Sequence, residues 1–281
     1  MYPKELKLFV GSVLLAIALI SPQRFLGKEL GHPKFLKTPS GIRFSWIGEK
    51  GREPVPTLFL FAKDMQTTLE RDAFGTVAWL LAKKGFIVVA LDLPCHGGDE
   101  KIGEPPRLSG WAARVEKGDN LVPTFIARVS QVLDFLIQAG YSDSNRIAAC
   151  GISRGGFMAI HFTAADPRVR CVATFAPVTD LTILTEFSGN RNESLARSLS
   201  VMHVADKLGG RGVWLYIGND DERVGTDQAI AFTRLVTRRA KETKRRANVK
   251  LIVDSSEGHG LGISPHFEAA EWIANQLAEG R

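Results

Sequence analysis

RIAACGISRGGFMAIHF, residues 146–162, sets the reading of the whole chain. RIAACG is a short apolar run of the kind that forms a strand buried on both faces, and residues 154–165 carry a helical pattern. Between them Ser153 sits in Gly151-Ile152-Ser153-Arg154-Gly155, the spacing G-x-S-x-G. The pentapeptide alone is common, but the strand before it and the helix after it are the setting that a nucleophile elbow requires. There the serine is held in a strained backbone conformation that lifts its hydroxyl above the sheet. Side chains at positions 151 or 155 would collide with the neighbouring strand or helix. The Arg154 N–H, at the start of the helix, then points where an oxyanion would develop.

Working outward, strand-like and helix-like segments alternate. Residues 34–48 read as two strands joined at Pro39-Ser40-Gly41, and 55–62, 86–93, 169–177, 212–218 and 249–255 as further strands. Helical spacing covers 71–84, 121–138, 226–241 and 264–279, the last opening with Ser264 and Pro265 as cap and first turn. This alternation predicts an α/β fold with a mostly parallel eight-stranded sheet, helices on both faces and an antiparallel hairpin at one edge. No repeat, low-complexity tract or linker divides residues 31–281, which are expected to form one domain. Two insertions, 94–120 and 178–210, break the alternation after strand ends, on the side where open α/β sheets bind ligands. Trp111, Leu181 and Phe187 lie in them, either lining an acyl pocket or packing the insertions themselves.

A serine hydroxyl is a poor nucleophile without a base, and the base needs an orienting acid. In this strand–turn–helix setting the acid and histidine should follow later strands, in the order Ser, acid, His. The loop after 212–218 supplies Asp220 and Asp221, and LIVDSSEGHG puts His259 in a glycine-flanked loop before the closing helix. Asp221 is the expected acid from the spacing Gly218-x-x-Asp221-x-x-Val224, with Asp220 as a turn residue and Asp180 as a more distant alternative. His32 precedes the sheet, His96 follows the fourth strand, His161 and His266 lie in helices, and His203 lies in an irregular segment. His259 is therefore the expected base.

Together these features resemble the α/β-hydrolases, in the dienelactone hydrolase and prolyl oligopeptidase-like branch. The similarity covers roughly residues 40–279. DLPCHGGDE (92–100) is similar to the family's Asp-x-Pro-Gly-His-Gly turn, residues 142–181 to its nucleophile region, IGNDDERV to its acid loop and EGHG to its histidine loop. The resemblance implies that His96 belongs to a structural turn. Two positions depart from the pattern. Ala62 and Lys63 stand where relatives carry His-Gly, so the backbone N–H of Lys63 or Asp64 is expected to complete the oxyanion hole, with the Asp64 carboxylate facing away. Cys95 stands where the turn often has glycine, as a reactive thiol or a tolerated substitution. Dienelactone hydrolases proper are expected to use a cysteine nucleophile, and the serine here argues against that substrate.

The remaining composition excludes more than it suggests. The net charge of +6 comes largely from TRRAKETKRRANVK (237–250), a solvated helix end without interleaved aromatics, so nucleic-acid binding is not expected. Three cysteines, without a CxxC, indicate neither a disulfide framework nor a metal site. No cofactor is implied. Leu8–Ile20 is an apolar run behind Lys4 and Lys7, too short for a standard span of roughly 20 residues. It reads as an export signal, a membrane anchor or an apolar helix packed on the domain, within an N-terminal segment 1–30. A membrane-anchored or exported protein is expected, with a cytoplasmic one as the alternative. The expected activity is carboxylic ester hydrolysis on a small-molecule substrate. Hydrolysis of short peptides is the alternative, since prolyl oligopeptidase relatives carry a large β-propeller that this chain is expected to lack. A catalytically silent, membrane-associated binding scaffold is a third reading, motivated by FAKDM (61–65) and the apolar N-terminus.

Overall fold

A computed structural model describes residues 30–278 except Ala73 and Leu261, with the backbone alone at Ser256 and Glu257. The apolar segment 8–20 and the rest of 1–29 lie outside the described residues. Eight strands among the described residues form one sheet: β1 (Lys34–Lys37), β2 (Arg43–Ile47), β3 (Val55–Phe61), β4 (Ile87–Ala90), β5 (Ser142–Ile152), β6 (Val169–Phe175), β7 (Gly212–Asp220) and β8 (Asn248–Glu257). Their order is β1-β2-β4-β3-β5-β6-β7-β8. The β1–β2 and β2–β4 pairs are antiparallel and every other pair is parallel, so the fold is the expected α/β one with an antiparallel edge. The helices are α1 (Thr76–Lys83), α2 (Arg107–Glu116), α3 (Leu121–Gln138), α4 (Arg154–Ala165), α5 (Glu193–Ser198), α6 (Thr226–Glu242) and α7 (Ser264–Ala278).

The continuous apolar strands make sense because both faces of the sheet are covered. On β3, Phe59 and Phe61 enter the core shared with α3 and α4, while Leu58 and Leu60 enter the core shared with α1 and α7. Phe61 meets Phe125 edge-on at 5.2 Å and Phe59 meets Phe162 at 5.3 Å. Each such buried ring contributes about 1.5–3 kcal/mol from area alone. Helix α3 is long and apolar enough to cross a membrane, but its Phe125, Val129, Val132, Leu133 and Leu136 are buried in the core.

Two local expectations are corrected. The helix expected over 71–84 begins at Thr76. Before it, the Asp72 carboxylate accepts from the N–H groups of Phe74 and Gly75, forming a turn. β5 begins at Ser142, ahead of the expected 146, because Thr57 Oγ1 and Ser142 Oγ pair at 2.7 Å and extend its contact with β3. The insertions are ordered as helices. Residues 94–120 contain α2, and 178–210 contain α5 flanked by 3-10 segments. Trp111, Leu181 and Phe187 are buried in the core, which is the packing alternative rather than the pocket one. Trp111 also donates through Nε1 to Pro94 O at 2.6 Å. Arg114 ties its insertion together by bonding Asp99 and Glu104, at 2.7 and 2.9 Å.

The packing makes two predictions. A Cβ at Gly155 would lie 1.9 Å from the Phe61 carbonyl oxygen, against backbone that has nowhere to go. Gly155→Ala should therefore lose at least the upper end of the ~1–3 kcal/mol typical of overpacking in urea unfolding. Gly140→Ala, at φ +68° with no atom within 4 Å, should lose only about 1–2 kcal/mol of left-handed backbone strain. The second concerns His96, His161 and His266, which burial pushes down to about 4 from an ordinary 6.5. The unfolded chain then binds more protons than the folded one between those values. Stability is full above pH 6.5 and is lost as pH falls toward 4, by up to about 1.4 kcal/mol per pH unit per histidine. His266 is fully buried and stacked on Phe175 at 4.4 Å. His266→Phe should flatten the slope of unfolding free energy between pH 6 and 5, and an unchanged slope would contradict this.

Candidate active site

The corner after β5 is built by crowding. Ser153 adopts φ +55°, ψ −120°, the left-handed side that non-glycine residues rarely occupy. The conformation is over-determined. The Ser153 N–H donates to Phe175 O at 2.8 Å, and the Ser153 carbonyl accepts from Val178 N–H at 3.1 Å. Helix α4 then leaves against β3 and the start of the loop after β6, and the glycines allow that approach. Beyond the Gly155 contact, a Cβ at Gly151 would meet Gly155 O at 2.2 Å and one at Gly156 would meet Pro177 Cβ at 2.7 Å.

Because β7 and β8 run parallel in register, from Gly212–Asn248 to Gly218–Asp254, the loops that follow them emerge side by side. Asp221 leaves the first of these and is buried. Its Oδ1 accepts the N–H groups of Arg223 and Val224 at 3.1 and 3.2 Å, which fixes the carboxylate. Its Oδ2 lies 2.8 Å from His259 Nδ1, and His259 Nε2 lies 3.0 Å from Ser153 Oγ. The structure therefore brings Ser153, His259 and Asp221 into one hydrogen-bonded line. With Nδ1–H donated to the carboxylate, Nε2 is the acceptor that faces the serine hydroxyl. The His259 side chain keeps 31% of its exposure while that of Asp221 keeps none, so the line runs from buried acid to open cleft.

The other candidates are placed elsewhere. Asp220 is exposed at the end of β7. Asp180 caps the 3-10 segment Leu181–Ile183 by accepting from Thr182 N–H. His161 bonds Leu199 O at 2.9 Å, tying α4 to the second insertion. His96 is buried, with Nδ1 bonded to Pro94 O at 2.8 Å. Cys95 takes φ +57°, which explains a glycine preference in that turn. It is buried, and burial pushes its thiol up to about 11, so it is not an activated nucleophile.

The loop after β3 separates the two oxyanion candidates. The Lys63 N–H donates to Thr68 Oγ1 at 3.0 Å and is spent inside the loop, which counts against Lys63. The Asp64 carboxylate accepts from Gln66 N–H, Thr67 N–H and Thr67 Oγ1. Burial alone would raise its pKa; those bonds outweigh it and hold the carboxyl below its usual range. A carboxylate so occupied is turned into its own loop. The sequence reading missed Asp92, whose buried carboxylate accepts Met65 N–H at 2.7 Å and Gly98 N–H at 3.1 Å. It ties the β3 loop to the β4 loop, and its position in DLPCHGGDE was the available signal.

Beside Arg154 lies a polar cavity of about 380 Å³, lined by the β3 and β4 loops and the head of α2. A larger groove of about 510 Å³ lies between α6 and β8, away from Ser153. No cluster of potential metal ligands occurs among the described residues.

A sequence model of the prolyl oligopeptidase family matches residues 73–278. The uncharacterized protein YcjY of Escherichia coli K12 is 33% identical over 104 residues, which are 37% of this chain and 30% of YcjY. Among solved structures, the acylaminoacyl peptidase of Pyrococcus horikoshii superposes with a TM-score of 0.65 at 16% identity, over 89% of this chain and 42% of the peptidase. A cold-adapted esterase from an Arctic intertidal metagenomic library superposes with a TM-score of 0.60 at 17% identity, over 87% of this chain and 93% of the esterase. The chain thus spans less than half of YcjY and of the peptidase, and at these identities the structural likenesses establish the fold. The family match covers most of the chain and takes in the corner and both later loops, and on that ground the chain belongs to the prolyl oligopeptidase family of α/β-hydrolase-fold serine hydrolases.

Proposed function

We propose that the protein is a serine carboxylesterase, acting through an acyl-enzyme on Ser153. The observation that carries this reading is the line Ser153 Oγ–His259 Nε2 and His259 Nδ1–Asp221 Oδ2, at 3.0 and 2.8 Å. His259 takes the hydroxyl proton as Ser153 Oγ bonds to the ester carbonyl carbon. Asp221 holds the imidazole tautomer and stabilises the imidazolium that forms. The developing oxyanion accepts the backbone N–H groups of Arg154 and Asp64, each worth about 3 kcal/mol in the transition state. Collapse of the intermediate breaks the ester C–O bond, and His259 returns its proton to the departing alcohol. A water molecule, activated in the same way, then releases the acid and regenerates Ser153.

Two observations favour an ester over a peptide. The cavity that Arg154 lines carries Lys63, Arg107 and Arg154 against Asp64 and Glu100, an excess of positive charge that does not favour the ammonium of a short peptide. The fold also matches the Arctic esterase across 93% of that enzyme, so a fold of this extent suffices there for ester cleavage. The family's description as peptidases supports the second reading, hydrolysis of short or acylated peptides.

A fluorophosphonate probe should label the wild type and leave Ser153→Ala unlabelled; equal labelling of both would remove Ser153 from the chemistry. Asp221→Asn should fold normally and lower kcat by about 10⁴ on short p-nitrophenyl esters, because the imidazole loses its tautomeric control. Turnover of p-nitrophenyl esters should exceed that of aminoacyl p-nitroanilides, and the reverse preference would establish the peptidase reading.

A further inference from the structure

The cavity beside Arg154 is lined by two arginines that make no ion pair among the described residues, Arg154 half-buried and Arg107 exposed. Arg154 follows the serine directly. Its Nε is buried without a hydrogen-bond partner, and its guanidinium makes no ion pair among the described residues. Its cationic form is penalised first by burial and then by repulsion from Arg107 and Arg223, with Glu186 opposing. Glu186 relieves it only in part, because both carboxylate oxygens already accept from Arg223 Nη2 at 2.7 and 2.8 Å. Arg107 also lines the cavity, likewise without an ion pair among the described residues. It is brought there on strained backbone, at φ +60°, held by a bond from its N–H to Cys95 O at 2.8 Å. Strain at a non-glycine residue on a cavity wall is a feature that binding sites retain.

The other charged groups on the wall are Lys63, Asp64 and Glu100, so the lining carries three cations against two carboxylates. Lys63 is committed to Asp72 at 3.0 Å, and the Asp64 carboxylate to its own loop. Glu100 is exposed at the rim. His96 Nε2 is buried without a partner among the described residues; because Nδ1 donates to Pro94 O it is an acceptor, and it adds no donor for an anion. A planar guanidinium with unused donors fits a carboxylate, and placing one there removes the repulsion between Arg154 and Arg107.

The sheet order bears on which end of the substrate carries the charge. His259 reaches Ser153 from the β8 side, and the leaving oxygen must face it to receive its proton. The cavity lies on the opposite flank, at the ends of β3, β4 and β5. We infer that Arg154 and Arg107 form a carboxylate subsite for the acyl part of the substrate, so that the preferred esters are monoesters of short dicarboxylic acids. This rests on the ester reading above. Water and such a monoester yield a diacid and an alcohol through the steps already given.

The test measures kcat/KM for the monoethyl esters of succinic, glutaric and adipic acids against ethyl esters of uncharged acids with the same chain length. The charged member should win by at least tenfold for one chain length. That ratio should fall at least tenfold in Arg154→Met and severalfold in Arg107→Gln, with folding checked by thermal denaturation. The ratio cancels any effect of the Arg154 change on the oxyanion site. A wild-type ratio of one or less at every length, or a ratio unmoved by Arg154→Met, overturns the subsite. Acetoxyacetate, which carries its charge on the alcohol side, should show no advantage over ethyl acetate; an advantage there overturns the acyl assignment. If no ester at all is turned over, the ester reading fails separately. Calorimetry of glutarate with Ser153→Ala then decides the subsite. Binding that Arg154→Met abolishes upholds it, and no binding ends it.

Discussion

The contact on which the rest depends is between two backbones: the start of α4 at Gly155 lies against the Phe61 carbonyl at the end of β3. No side chain fits between them. That contact sets the angle at which α4 leaves β5, and so forces Ser153 into a conformation held by Phe175 on one side and Val178 on the other. The strain is local and the restraint is distributed, the usual way a fold keeps a reactive group in an unfavourable geometry. Five non-glycine residues among the described residues have positive φ; three of them (Cys95, Ser153 and Ala176) lie just beyond the carboxyl ends of strands near this corner, and a fourth, Arg107, is bonded through its N–H to Cys95 O.

The other two members of the hydrogen-bonded line are brought together by strand register and then fixed by local hydrogen bonds. β7 and β8 are neighbours at one side of the sheet, and their loops meet because the strands end together. Asp221 is buried and locked by two backbone donors, whereas His259 keeps partial exposure. A rigid acid and an accessible base suit a histidine that must bond first to the serine and later to a departing group or a water.

Much of this was legible in the sequence because it rests on local rules. Continuous apolar runs separated by helical spacing require a parallel sheet, and glycines at 151 and 155 around a serine require a crowded corner. Asp221 and His259 followed from chain order and from loops after the right strands. What was not legible depended on contacts between distant segments. The Lys63 amide was a fair candidate until Thr68 Oγ1 was seen to accept from it. Helix α2 has apolar spacing at Leu108, Trp111, Ala112 and Val115, but it is short and is held in place by Trp111 and Arg114, whose partners are Pro94, Asp99 and Glu104. The start of α1 was misplaced because a side-chain turn at Asp72 competes with the helix, a choice that helical spacing alone does not show.

The bidentate pair of Arg223 with Glu186 has a consequence for how this molecule can change. Arg223 stands two residues beyond Asp221, and its N–H is one of the two that fix the acid; Glu186 belongs to the insertion at 178–210. The second insertion is thereby tied to the loop that aims the imidazole. A displacement of this insertion is therefore passed on to the carboxylate that orients His259.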